Sequence, residues 1–344
     1  MTAAFIEITD GHRLFVRDWG EGAPVLFLAG WGMDSAAWGS TMIHLNDRGL
    51  RTIAFDRRGH GRSSDPGAID FDLIADDLAT VIEELDLQHV TVVAHSAGAG
   101  EVLRYASRHG TSRLARIVMV GGQGPCLVAG PDNAHGLPRG VLEAGLANVR
   151  DDLPGWLAAN VEPFAPGASR HELDALIATL LSGSRRILVD FQHAIVEADF
   201  RAEAAALRLP TTIIHGDRDA SAPLDITGRR YTALIPGAEL IVYEGVAHGV
   251  MVTHARRLAD DIARAVLLGG GCRGGLASVE LPRSMSSAAG SPSVAAGCRA
   301  RSRRCWGANP APRSSLWRGP WSLVAGRRSR RARPAIRPAC GRLP

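Results

Sequence analysis

Ser96, Asp219 and His248 are the residues whose types and order could do chemistry. A serine hydroxyl is a poor nucleophile until a neutral imidazole takes its proton, and a carboxylate holds that imidazole in the working tautomer. Serine, then acid, then histidine is a chain order known to bring the three groups together. The chemistry they would perform is acyl transfer through a covalent intermediate. Ser96 sits in Ala94-His95-Ser96-Ala97-Gly98, between an apolar run and an amphipathic stretch. A serine on such a strand-to-helix turn has its hydroxyl lifted above the sheet, with the helix N-terminus beneath the place where an oxyanion forms. Without partners, the same serine would serve only as a helix cap.

The acid and the base are read from their positions. Asp219 ends His215-Gly216-Asp217-Arg218-Asp219, and His248 lies in Gly245-Val246-Ala247-His248-Gly249. Both segments follow short apolar runs, and the C-terminal ends of strands are where an open α/β sheet meets its ligands. Asp217 is the rival acid. It stands closer to the strand end and is expected to serve the turn. His254 is the rival base, but it falls in the helical pattern that follows.

The elements that must position these residues have two rhythms. A β-prone run at Phe5, Ile6 and Ile8, the turn signal Asp10-Gly11 and a second run at 14–19 read as an N-terminal hairpin. Residues 25–28, 51–55, 90–94, 116–120, 211–215 and 239–243 are short apolar runs, most of them suited to strands buried on both faces. Ile74, Leu78, Val81, Ile82 and Leu85 repeat with helical spacing, and the stretch 101–109 does likewise before Gly110. Strand–helix alternation means an α/β fold with a mostly parallel sheet. Residues 1–121 and 206–268 form the expected core. Residues 122–205 carry helical patches, including Leu173, Leu176, Ile177, Leu180 and Leu181, and no strand pattern; they are expected to form a helical cap, or lid.

Composition divides the chain. Of 39 basic residues, all Arg, 15 follow position 268, with the single acid Glu280; the first 268 residues keep 24 Arg against 34 acids, a net charge of −10. That acidic body is a poor match for nucleic acid. Residues 269–344 are rich in Arg, Gly, Ser and Pro without periodicity and are expected to be disordered. Trp306, Trp317 and Trp321 among the arginines suggest a single-stranded nucleic-acid surface, but an extension without a fold accounts for them as well. Four of the five cysteines lie in the tail, leaving Cys126 in the body, so no disulfide framework is expected there. No signal peptide and no apolar run of membrane-spanning length is read, and a cytoplasmic location is expected. No Cys/His cluster has metal spacing, and no cofactor is expected. Arg57 and Arg58 are expected to pair with nearby acids, and His60 to be a satisfied loop histidine. The oligomeric state is not legible.

The chain resembles the α/β-hydrolases, and within them the cofactor-free (non-haem) haloperoxidase and arylesterase-like group. The resemblance rests on Asp18-Trp19-Gly20, Gly30-Trp31, Asp56-Arg57-Arg58-Gly59-His60-Gly61-Arg62-Ser63, Gly100-Glu101-Val102 and Arg108-His109-Gly110. It continues through His215-Gly216-Asp217-Arg218-Asp219, Leu234-Ile235-Pro236-Gly237-Ala238 and Tyr243-Glu244-Gly245, and so spans residues ~5–268. It implies the triad Ser96, Asp219 and His248, an oxyanion hole from the backbone N–H groups of Trp31 and Ala97, and no metal or prosthetic group. It also implies a small-molecule acyl substrate cleaved as an ester, or a peracid made from a carboxylic acid and peroxide. Three positions depart from the group's pattern: Ala29 for the usual His, Ala94 for the first Gly of the elbow, and Gly32 for the Pro of haloperoxidase-like members. The last shifts the expectation toward plain ester hydrolysis. Gly30, Gly32, His95 and Phe164 are expected to line the acyl pocket with Trp31. A fold member that binds a small molecule without turning it over is the alternative from another class.

Overall fold

Short apolar runs and amphipathic stretches become eight strands and eleven α-helices in the computed structural model, which describes residues 4–8 and 11–269. The strands are β1 (Phe5–Glu7), β2 (Arg13–Trp19), β3 (Ala23–Leu28), β4 (Leu50–Phe55), β5 (Val90–His95), β6 (Leu114–Val120), β7 (Thr211–Gly216) and β8 (Glu239–Tyr243). They form one sheet in the order β1-β2-β4-β3-β5-β6-β7-β8. The first two make the expected hairpin, and β2 runs antiparallel to β4; every pairing from β4 to β8 is parallel. The expected α/β-hydrolase architecture, a mostly parallel sheet flanked by helices, is what the chain adopts.

The helices are α1 (Gly39–Asn46), α2 (Phe71–Glu84), α3 (Gly98–His109), α4 (Arg139–Asp151), α5 (Leu153–Phe164), α6 (Arg170–Ser182), α7 (Arg185–Glu197), α8 (Arg201–Ala206), α9 (Gly228–Leu234), α10 (Val250–Thr253) and α11 (Ala255–Gly269). Strand alternation sends side chains to opposite faces. Val25, Phe27 and Val93 therefore pack with Met42 and Leu45 of α1 and with Leu258 and Ile262 of α11. Leu26, Leu28 and Val92 pack with Ile74, Leu78 and Val81 of α2 and with Val102 of α3. All six residues of β5 are buried, which explains why that run reads as continuously apolar rather than alternating.

Between β6 and β7 the described chain has helices and no named strand. Asp70 starts α2 by accepting from Leu73 N–H at 2.7 Å, and Ser169 with Glu172 forms a reciprocal capping box on α6. Val149, Leu153, Leu157, Val161, Leu176, Leu180 and Leu188 of α4–α7 make a core of their own, which closes over Ala29 and Met33 beside the end of β3. The tail 269–344, save Gly269 at the end of α11, lies outside the described residues. No described helix is long and apolar enough to cross a membrane.

The segment after β4 is held by charge. Asp56 accepts from the backbone N–H groups of Ser35 and Arg62, both at 2.8 Å, and Arg58 grips Asp77 of α2 through two bonds at 2.7 and 2.6 Å. His60 is only half satisfied among the described residues: Nδ1–H donates to the Arg58 carbonyl at 2.9 Å, while Nε2 is buried with no partner there. Burial, aided by Arg57, pushes its pKa down to about 3. The same imidazole titrates near ~6.5 in an unfolded chain. Between those values the unfolded state binds the extra proton. This group's contribution is therefore whole above the unfolded value and falls as the pH drops toward the folded one, by up to ~1.4 kcal/mol per pH unit. His60→Asn should flatten that acid limb. Urea midpoints at a neutral and a mildly acid pH should draw closer together than in the wild type, and an unchanged gap would contradict a neutral buried His60.

Candidate active site

Ser96 follows β5 directly and has φ of 54°, a left-handed conformation that costs energy in a residue with a Cβ. The strain belongs to the elbow. Ser96 N–H is tied to the Val120 carbonyl at 3.1 Å, and α3 begins two residues later. Gly98 is required by packing: a Cβ there would stand 3.0 Å from Leu28 Cβ and 3.1 Å from the Leu28 carbonyl, so glycine lets α3 lie against the end of β3. Gly30 is required for the same kind of reason. Its Cβ would meet His95 Nδ1 at 2.7 Å and Ser96 Cβ at 3.2 Å. The loop after β3 thus runs directly against the serine.

Asp219 and His248 arrive from the ends of β7 and β8. Asp219 Oδ2 accepts from His248 Nδ1–H at 2.6 Å, and both residues are buried. Burial alone would raise the Asp219 carboxyl, but the imidazoles of His248 and His215 hold it below the ordinary carboxylate range. The motif that carries Asp219 also holds His215, to which the sequence assigned no role. Its Nε2 lies 3.3 Å from Asp219 Oδ2 and 2.7 Å from the Ala222 carbonyl, and Asp219 Oδ1 accepts from Ala222 N–H at 2.7 Å. The acid is thereby fixed from two sides. Gly121, with φ of 53°, passes beneath the pair; a Cβ there would stand 3.1 Å from His248 Nδ1. Asp217 has the turn role expected of it, accepting from Gly245 N–H at 2.7 Å. His254 Nδ1 pairs with Thr253 Oγ1 at 2.8 Å.

The loop carrying Gly30 and Trp31 is oriented by Arg57. This buried guanidinium donates to the carbonyls of Ala29 at 2.8 Å and Gly30 at 3.4 Å, and pairs with Glu101 of α3. In a trans peptide the N–H points opposite to the C=O. With the Gly30 carbonyl turned to Arg57, the Trp31 N–H is turned away from it. Neither Trp31 N–H nor Ala97 N–H donates a hydrogen bond within the described residues. The Trp31 indole N–H reaches across to the Leu188 carbonyl of α7 at 2.8 Å, joining the loop to the helical segment above it.

An open cleft brings most of these residues together. Ser96, His248, Gly30, Trp31, His95 and Phe164 all line it. No hydrogen bond joins the Ser96 hydroxyl to His248 here; bonds of this kind are often long before substrate closes them. Gly32 is a correction. It is absent from the cleft wall, because its φ of 72° turns the chain beneath α6, where Leu180 Cδ2 occupies the space a Cβ would need. The sequence reading also missed Met33, Gln123, Trp156, Leu157, Asn160, Val161, Leu176, Leu180, Gln192 and Ser221, most of them in the segment between β6 and β7. A helical stripe was visible in α6, but which stripe faces the serine depends on how the helices pack. The glycine after His248 does have a signal: Gly249 N–H donates to the Phe164 carbonyl at 2.7 Å, and a Cβ would collide with the Phe164 ring. Among the described residues no group of three His, Cys, Asp or Glu side chains is placed to hold a metal ion.

A strand-to-helix elbow at the C-terminal edge of this sheet defines an α/β-hydrolase, and the alpha/beta hydrolase fold profile matches residues 23–187. A non-haem chloroperoxidase from Kitasatospora aureofaciens is 38% identical over 256 residues, covering 70% of this chain and 90% of that protein. A bifunctional esterase/perhydrolase from Acinetobacter calcoaceticus is 32% identical over 276 residues, covering 75% and 97%. A crystal structure of a bromoperoxidase from Bacillus anthracis superposes with a TM-score of 0.74 at 30% identity, covering 77% and 99%. The chain belongs to the α/β-hydrolase family, beside its non-haem haloperoxidases and esterases.

The Arg57–Glu101 pair can be tested apart from activity. Removing one partner strands the other charge in the interior, at a cost of about 3–5 kcal/mol, whereas replacing both with apolar residues is often neutral. Glu101→Leu should therefore lower stability by that amount in urea melts, and adding Arg57→Met should restore most of it. A loss below about 1 kcal/mol in the single variant would show that the pair is not what holds this loop.

Proposed function

We propose that the protein is a serine hydrolase that cleaves a small neutral carboxylic ester, or a lactone-like acyl substrate, through an acyl-enzyme. The observation that carries this reading is the buried Asp219–His248 hydrogen bond beside Ser96 in one cleft. With Nδ1–H committed to Asp219, His248 Nε2 is the ring nitrogen left to accept a proton. Nε2 takes the Ser96 proton as Oγ attacks the acyl carbonyl. The carbonyl oxygen gains the negative charge, which the N–H groups of Trp31 and Ala97 stabilise. His248 then returns the proton to the leaving alkoxide as the carbonyl re-forms. Water attacks the resulting ester of Ser96 with His248 again as base, releasing the acid and the free hydroxyl. The segment 122–205 acts as the lid that supplies the acyl pocket. The relatives named above favour one variant: peroxide in place of water at the second step would release a peracid. A body with the single free cysteine Cys126 suits a reducing cytoplasm.

Ser96→Ala should lower turnover of aryl acetates on the order of 10⁶-fold. Asp219→Asn should lower kcat on the order of 10⁴-fold, because an amide cannot hold the imidazole in the same tautomer. Full activity in the alanine variant would exclude the mechanism. An organophosphonate should also label Ser96 in the wild type; a pocket that merely binds its ligand would leave the serine unmodified.

A further inference from the structure

The apolar stripe of α7 contains one residue that breaks it. Ile187, Leu188, Phe191, Ile195 and Val196 are buried at helical spacing, and Gln192 stands among them, 8% exposed. Its carboxamide makes no hydrogen bond within the described residues and is not sealed inside the wall; it opens on the cleft that holds Ser96. A polar side chain set on a core face, without a partner among the described residues and turned to a cleft, is a group that a bound molecule can complete.

The surroundings narrow what that partner is. The cleft wall that includes Gln192 is largely apolar, with Trp156, Leu157, Val161 and Leu176 among its side chains. Asn160, which also lines it, gives an amide N–H to the Trp156 carbonyl at 2.7 Å and keeps its own carbonyl oxygen available as an acceptor. Apart from the two histidines beside Ser96, no ionisable side chain among the described residues lines the cleft, so none of them would neutralise a carboxylate or an amine carried by the acyl group. A side-chain carboxamide can accept from an N–H and donate to a C=O at once. That is the complement of a secondary amide.

We infer that Gln192 is a specificity residue, and that the acyl group taken by this cleft is a neutral chain carrying a secondary amide. The inference rests on the serine-hydrolase reading above and deepens it by naming the substrate class.

The experiment compares p-nitrophenyl esters of N-acetylglycine, N-acetyl-β-alanine and N-acetyl-4-aminobutyric acid with the alkanoates of the same chain lengths. At the best-fitting length the amide ester should have the higher kcat/KM, and Gln192→Met, which keeps the length and volume of the side chain, should lower the amide-to-alkanoate ratio by about tenfold. A general loosening of the cap would change both esters together and leave the ratio alone. If a water molecule is what satisfies Gln192, the ratio is likewise the same in both enzymes, and the inference is overturned. Absence of all ester turnover, with Ser96 also unlabelled by an organophosphonate, would sink the hydrolase reading and this inference together. Turnover with an unchanged ratio sinks this inference alone.

Discussion

A single buried guanidinium links the parts on which the site depends. Arg57 leaves the end of β4, takes the carbonyls of Ala29 and Gly30 from the end of β3, and pairs with Glu101 on the helix that follows Ser96. Three chain segments are thereby held in one geometry. Burial raises the Glu101 carboxyl above its usual range, with Arg57 opposing that rise, so the pair is poised between desolvation and attraction. One carboxylate oxygen, Oε1, has no hydrogen-bond partner among the described residues. Such an arrangement adds little net stability. Its effect is to fix direction: the carbonyls face the arginine, and the N–H of Trp31 faces elsewhere.

The sheet then decides where the groups meet. From β3 the chain crosses to β4 on one side, and later to β5 on the other, so the order reverses between β3 and β5. Loops leaving adjacent strand ends at such a point diverge and leave a crevice. Ser96 and the Gly30–Trp31 loop stand on its two sides, while β7 and β8 bring Asp219 and His248 to the same edge. The helical segment between β6 and β7 is fastened at this edge too, through Trp31 to Leu188 and through Gly249 to Phe164.

Much of this was legible in the residues because local rules and the fold agree. Each of the eight strands coincides with an apolar run, and α2 follows the spacing of Ile74, Leu78, Val81 and Ile82. Ser96 announced itself through its setting, and Asp217 was separable from Asp219 because the residue nearest the strand end is the one that can reach the turn. Where the reading failed, a distant contact overrode the local pattern. His60 was expected to be satisfied, yet the packing leaves one ring nitrogen without a partner among the described residues. Gly32 was expected in the pocket, but it does not line the cleft and lies in a left-handed conformation against Leu180.

By itself the sequence determined the class of fold and the chemistry available at the sheet edge, since periodicity, turn residues and the order serine–acid–histidine are properties of neighbours along the chain. The tertiary structure decided which strand lies beside which, and that His215 and His248 share one carboxylate. It also decided that Gln192 opens on the cleft. Those facts join residues dozens or more than a hundred positions apart, or depend on how one helix is rolled against others. The free energy that sets them comes from packing the whole core, and no local pattern encodes it.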